Sequence, residues 1–333
     1  MATGIDIRSI ALCRQSDYDA GGSERFEDVV GVLLRGVTLR LAFVGDVHFG
    51  IEVRLAADSR ANSINFAMTY VDDVELEFTG VAQDEVLADA IDLSGVSIDP
   101  NIIADLLCHE TTKCVHDLFF ALNIARPGAI QLLKVTTTAL EAAADGKTQY
   151  PQEWALAWHK SANGEWPSLR ELDSDVVLRW LQGVDGFRDG FARDAIGRAV
   201  QALTYLLEPI DRPEQLLWVM VGLEALFTTG GANLSRQLRQ RSIHLLGEHP
   251  SAVKSISEMY RTRSKFIHGK MNFGGAYHHQ DASDEFGFFD IKLIDALDVG
   301  FAMLLAAVQA LIIGEHLTLD FFQAESGDRP DDE

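Results

Sequence analysis

A chain of 333 residues with 47% hydrophobic and 23% charged content has the composition of an ordinary soluble globular protein and enough length for two cores. Its formal net charge of -22 excludes a broadly basic surface, so contact with nucleic acid or an anionic membrane would need a local basic island. Three cysteines, an odd and sparse set, fit a reducing compartment better than a disulfide framework. Residues 1–13 include Asp6 and Arg8 and no continuous apolar stretch, unlike a secretory signal. The expected location is cytoplasmic.

The first eighty residues read partly as antiparallel sheet. Val37, Leu39, Leu41 and Phe43 alternate with other residues, and so do Val47, Phe49, Ile51, Val53 and Leu55. Gly45-Asp46 between them is a two-residue hairpin signal. Ile64, Phe66, Met68 and Tyr70 repeat the period of two, and Val74, Leu76 and Phe78 follow. Residues 71–100 hold nine acidic side chains (Asp72, Asp73, Glu75, Glu77, Asp84, Glu85, Asp89, Asp92 and Asp99) and no Lys or Arg. Such a run is a solvated surface or a docking face for a basic protein partner.

Asp99-Pro100 reads as an N-cap followed by proline at the first helical position. The helix it opens runs through Leu106, Leu107, Val115, Leu118 and Phe119 and stops at Arg126-Pro127-Gly128. Residues 145–185, rich in Trp, Gly and Pro, read as a connector with short elements.

Beyond them the chain is helical. Ile196, Ala199, Val200, Leu203, Leu206 and Leu207 fall on one helical face. A second helix follows Asp211-Arg212-Pro213, a third spans about 233–246 with Gly247 as its stop, and a fourth opens at Pro250 and ends at His268-Gly269. A last helix covers about 288–316. Its apolar run, 299–314, is interrupted by Gln309 and falls short of the roughly 20 residues a membrane span needs, so a buried bundle helix is expected and no membrane association. The fold class is α+β. A small β-rich N-terminal domain covers 1–95, a helical and irregular connecting region 96–185, a C-terminal helical bundle 186–320 and an acidic disordered tail 321–333.

The chemistry concentrates in Tyr260-Arg261-Thr262-Arg263-Ser264-Lys265-Phe266-Ile267-His268-Gly269. Residues 231–270 carry eight Lys or Arg (Arg236, Arg239, Arg241, Lys254, Arg261, Arg263, Lys265, Lys270) against Glu248 and Glu258, a local charge of +6. Cations near a helix C-terminus complement its dipole, which accounts for Lys265 and Lys270. Arginines on two helices and a histidine at the helix end fit a basic groove that receives phosphate. Arg261 and His268, seven apart, share nearly one face, whereas Arg263 and His268 diverge unless the last turn loosens. Either arginine could be the partner of His268. Glu224 is the only charge in residues 216–227. Buried, it would need a partner such as Arg241 or Arg263; otherwise it points to solvent.

Glu224-Ala225-Leu226-Phe227, then Asn233-Leu234-Ser235 with Arg241 and Leu245-Leu246-Gly247, then Tyr260 and Arg263-Ser264-Lys265-Phe266-Ile267-His268-Gly269, resemble the Apea-like branch of the HEPN superfamily over about 100 residues. The Arg-Ser-Lys-x-x-His-Gly block is the most specific part. Residues 118–128 resemble, more weakly, the region preceding such a domain, and the β-rich start is not covered. The resemblance implies a HEPN-type helical bundle of four or five helices that forms a homodimer. It also implies a metal-independent endoribonuclease, of the kind found in antiphage defence or toxin–antitoxin systems. Carried over, Arg263 and His268 match the catalytic motif, Ser264 its polar position, and Glu224 the acidic position on the earlier helix. Arg261, Lys265, Lys270, Arg241 and Arg236 are then the expected RNA contacts. RNA is the substrate and no metal or cofactor is required.

Those residue types suit the reaction. Attack by the RNA 2′-hydroxyl needs proton transfer near neutral pH, which histidine supplies, and charge stabilisation at a crowded phosphorane, which a planar arginine supplies. A dimer would bring two Arg–His pairs together, one as base and one as acid. The alternative is a noncatalytic HEPN module for dimerisation that binds a protein or nucleotide partner.

Other signals carry less. Gly45-Asp46-Val47-His48 resembles a metal-binding block of calcineurin-like phosphoesterases, but the later Gly-Asn-His block is absent. Cys108 and Cys114 are six apart on one helix and diverge, so with His109 they make a poor zinc site and read as buried free thiols. His278, His279, Asp281, Asp284 and Glu285 read as a polar loop over the site. No P-loop, Rossmann fingerprint or Gly-x-Ser-x-Gly elbow is present.

Overall fold

The computed structural model describes residues 6–14, 25–26, 28–29, 31–32, 37–41, 45–55, 73–81, 100–139, 141–188, 190–208, 212–230, 233–270 and 284–319. The chain forms two compact units, 1–155 and 156–333. Sheet and helix are both present, as expected, and helix predominates.

The first unit carries six strands, β1 (Asp6–Arg14), β2 (Val37–Leu41), β3 (Gly45–Leu55), β4 (Asp73–Val81), β5 (Gln131–Ala139) and β6 (Ala142–Asp145), in one antiparallel sheet of order β2-β3-β4-β1-β5-β6. The β2–β3 hairpin forms with Leu39 opposite Val47. Its turn is not at Gly45-Asp46, which are the first residues of β3 and pair with Leu41 and Arg40. The alternating pattern on β3 thus extends further back than the Gly-Asp signal suggests. The strand expected at 64–70 lies outside the described residues, as do the acidic positions 82–99 and the tail from 320.

Two strands lie where helix and irregular connector were expected. In β5 the buried positions are Leu132, Val135, Thr137 and Ala139. Three consecutive threonines blur that apolar pattern, yet they are β-branched residues suited to a strand. The Thr137 hydroxyl is buried and paired with that of Thr112, 2.9 Å away, on α1 (Pro100–Ala125). Helix α1 begins at the proline that the sequence marked. It packs on the sheet through Leu107, Val115, Phe119 and Leu122, all fully buried. Cys108 and Cys114 are buried free thiols, and desolvation raises the pKa of Cys108. Desolvation likewise raises the Asp117 carboxyl to about 7, with Lys113 opposing the shift.

Helix α2 (Gln152–Ala162) crosses the boundary between the units. The second unit then holds α3 (Ser174–Gly183), α4 (Ala195–Tyr205), α5 (Arg212–Phe227), α6 (Leu234–Leu246), α7 (Ala252–Ile267) and α8 (Asp284–Ile313). Asp173 caps α3 by accepting from the backbone N–H of Asp175 and Val176, and Asp194 caps α4 by accepting from that of Gly197. Asp284 and Glu285 belong to α8 rather than to a loop, while His278, His279 and Asp281 lie outside the described residues.

The core of this unit is α8. Residues 292–313 are long and apolar enough to cross a bilayer, yet most of that stretch is buried against its neighbours. Phe301, Leu304, Leu305, Val308 and Leu311 are fully buried, each worth about 1.5–3 kcal/mol. Its polar residues have partners: Asp298 takes Lys160 at 2.6 Å, and Gln309 both accepts from the backbone N–H of Arg170 and donates to its carbonyl. Gly300 permits the close crossing that seats α5 and α7. A Cβ there would stand 2.6 Å from Val219 Cγ1 and 2.7 Å from Met259 Sδ. Gly300→Leu should therefore cost about 1–3 kcal/mol through overpacking, read as a lower urea midpoint; an unchanged midpoint would mean that the helices can part freely.

Candidate functional site

Helix α7 has two faces of different character. Ala252, Ile256, Met259 and Thr262 are buried at helical spacing and hold it on the bundle. The opposite side carries the charge. Between α6 and α7 lies a groove of about 430 Å³ lined by Ser235, Arg236 and Arg239 of α6, by Ile256, Ser257, Tyr260, Arg261, Ser264 and Lys265 of α7, and by Lys270 beyond it. Among the described residues, five cations and no carboxylate line this groove in a chain of net charge -22. Four hydroxyls, three serines and a tyrosine, stand among the cations as uncharged hydrogen-bonding groups.

The helix ends on a glycine cap. His268 occupies the cap position, Gly269 takes the left-handed conformation (φ 64°), and the backbone N–H of Lys270 donates to the Lys265 carbonyl at 2.8 Å. This reversal returns the chain so that the Lys270 side chain joins the groove.

Of the residues singled out from sequence, the groove gathers Arg236, Arg261, Ser264, Lys265 and Lys270. It also takes Arg239, which belongs to the basic island but lay outside the expected contacts. Its spacing from Arg236, three residues on one helix, is the signal that places both on one face. Arg241 is not part of the lining; it stands about 140° round α6 from Arg236.

Arg263 also lies elsewhere. Its guanidinium reaches back to α5, where Nη2 stands 3.2 Å from Glu224 Oε1, with side chains 23% and 25% exposed. Of the two partners open to Glu224, Arg263 is the one it takes, and the carboxylate is neither fully buried nor free in solvent. Arg263 Nε and Glu224 Oε1 are both buried and have no hydrogen-bond partner among the described residues, so the 3.2 Å contact is an ion pair without hydrogen-bond geometry. The guanidinium also lies 5.7 Å from the Tyr260 ring centroid.

His268 is exposed, and its imidazole has no hydrogen bond or ion pair among the described residues. Its backbone N–H still donates to the Ser264 carbonyl at 3.1 Å, so the last turn does not loosen before it. By helix geometry His268 therefore lies within about 20° of Arg261 and about 140° from Arg263. Within one chain, Arg263 and His268 are not on a common face.

Among the described residues no three His, Cys, Asp or Glu side chains converge as metal ligands. No protein-family model, curated protein or solved structure matches the chain.

The Glu224–Arg263 contact yields a measurable expectation. It sits between an exposed pair, worth about 0–1 kcal/mol, and a buried one, where losing a partner costs about 3–5 kcal/mol. Glu224→Ala should destabilise by about 1–3 kcal/mol in chemical denaturation, and much less when Arg263→Ala is already present. Additive losses would show that the two side chains do not interact.

Proposed function

We propose that the chain is an RNA-directed HEPN-type protein of the Apea-like kind, a cytoplasmic metal-independent endoribonuclease whose second unit forms the HEPN bundle and works as a homodimer. The observation that carries this reading is the groove between α6 and α7, with five cations and no carboxylate among its described residues, in an otherwise acidic chain. In that field a polyanion gains at the groove, and RNA is a ligand whose repeating phosphates match clustered arginines.

The chemistry assigned to the site needs no group beyond the chain's own. His268, the one histidine in the Arg-Ser-Lys-x-x-His-Gly block, takes the proton of the attacking 2′-hydroxyl, and the same residue of a second copy delivers a proton to the leaving 5′-oxygen. Arg263, paired with Glu224, offers the outer edge of its guanidinium to the phosphorane. Ser264 hydrogen-bonds beside it. Dimerisation supplies what one chain lacks, since Arg263 and His268 project to different sides of the same helix. A role in antiphage defence or a toxin–antitoxin pair follows from the resemblance, with the acidic N-terminal region as the surface for a basic protein partner.

A second reading, a noncatalytic module that binds nucleotide or protein anions, is favoured by one observation: Arg263 is engaged by Glu224, while the exposed His268 side chain has no hydrogen bond or ion pair among the described residues. Incubation of mixed cellular RNA with the purified protein in EDTA separates the two. The nuclease reading predicts fragments ending in 2′,3′-cyclic phosphate, with activity lower by about 100-fold or more in folded His268→Ala and Arg263→Ala. Intact RNA after incubation with wild type at any protein concentration would leave the binding module.

A further inference from the structure

Tyr260 stands where the two sides of α7 meet. It lines the groove beside Arg261, Ser264 and Lys265. The Arg263 guanidinium carbon lies 5.7 Å from its ring centroid. Arg263 is in turn held by Glu224 at 3.2 Å. The sequence Glu224, Arg263, Tyr260 thus runs from α5 through α7 to the groove wall. A guanidinium near an aromatic ring is attracted to its π-electrons, and the carboxylate fixes where that guanidinium sits. The result is an aromatic ring held in place among five cations.

That combination is the equipment by which proteins bind single-stranded nucleic acid. Cations track the phosphates and an aromatic ring stacks a base, without reading its sequence because every base has a π-face. At about 430 Å³ the groove falls in the size range of a small-ligand pocket, which suits one or two nucleotides rather than a duplex. Arg261 and Arg263, two residues apart, are about 160° apart round the helix, so only the first faces the groove. Resting on the RNA reading above, we infer that Tyr260 is the base-stacking platform of a single-stranded RNA site. Arg261 contacts phosphate there, and Arg263, whose guanidinium the proposed reaction uses at the scissile phosphate, also holds the ring, with Glu224 as the positioning residue behind it.

The salt dependence of binding separates these roles. The probe is a fluorescent 2′-O-methyl oligouridylate, which cannot be cut by 2′-hydroxyl attack, and the readout is anisotropy across a salt series. Tyr260→Phe keeps the ring and wild-type affinity. Tyr260→Leu loses about tenfold, within the range for one stacked base, with the salt slope unchanged. Arg261→Ala lowers affinity and reduces the slope of log K against log salt by about 0.7, one phosphate contact on a single strand. Glu224→Gln, which frees the Arg263 guanidinium from its anchor and leaves every cation in place, lowers affinity with the slope unchanged.

Wild-type affinity in folded Tyr260→Leu would overturn the inference, as would wild-type affinity in folded Glu224→Gln. Absence of wild-type binding would overturn it together with the RNA reading. Ring-dependent binding by a protein that cuts no RNA would leave it standing and remove only the nuclease.

Discussion

Five cations share one groove, and the fold must hold them there against their own repulsion. Like charges about 8 Å apart repel by about 2 kcal/mol at an effective dielectric near 20, and less where water and salt screen them. The opposing force comes from the back of α7. Ile256, Met259 and Thr262 are buried there, Gly300 lets α8 approach closely, and Arg263 is tied to Glu224 of α5. One helix is therefore anchored by apolar contact and one ion pair while its other side presents charge. The chain as a whole carries a net charge of -22, so that side is a place where an anion gains.

The polar residues of the apolar helices follow the same logic. Asp298 interrupts α8 and is paired with Lys160; Gln309 interrupts it and clamps both backbone groups of Arg170. Glu224 interrupts α5 and takes Arg263. A polar group placed within a packed bundle is tolerated when its partner arrives from another segment, and each such partner fixes a register. Glu224 differs from the other two in that its partner adjoins the groove, so structural anchoring and the site share one contact.

Much of the second unit was legible in the sequence. Helical periodicity, the Gly247 stop and the His268-Gly269 cap mark α4 to α7, because local chemistry at their ends decides them. Most of the groove was legible as well, since clustered arginines among acidic residues declare themselves in the charge count. The partition of Arg261 from Arg263 was not. It depends on which side of α7 packs inward, and that is set by α5 and α8, distant in sequence. The strands β5 and β6 were missed because threonines and alanines give no alternation of apolar and polar residues. Their place in the sheet depends on pairing with β1, more than a hundred residues earlier. The hairpin turn moved off Gly45-Asp46 because a turn dipeptide is a local preference that cross-strand register can override.

The central claim, that RNA docks where α6 and α7 expose their cations, is tested most directly by photocrosslinking. The full-length protein would be irradiated with RNA carrying 4-thiouridine, digested, and the modified peptides mapped. The account predicts adducts concentrated within residues 233–270, lost at high salt and in competition with unlabelled single-stranded RNA. Adducts confined to other segments, or no adduct above the level of free uridine, would contradict it.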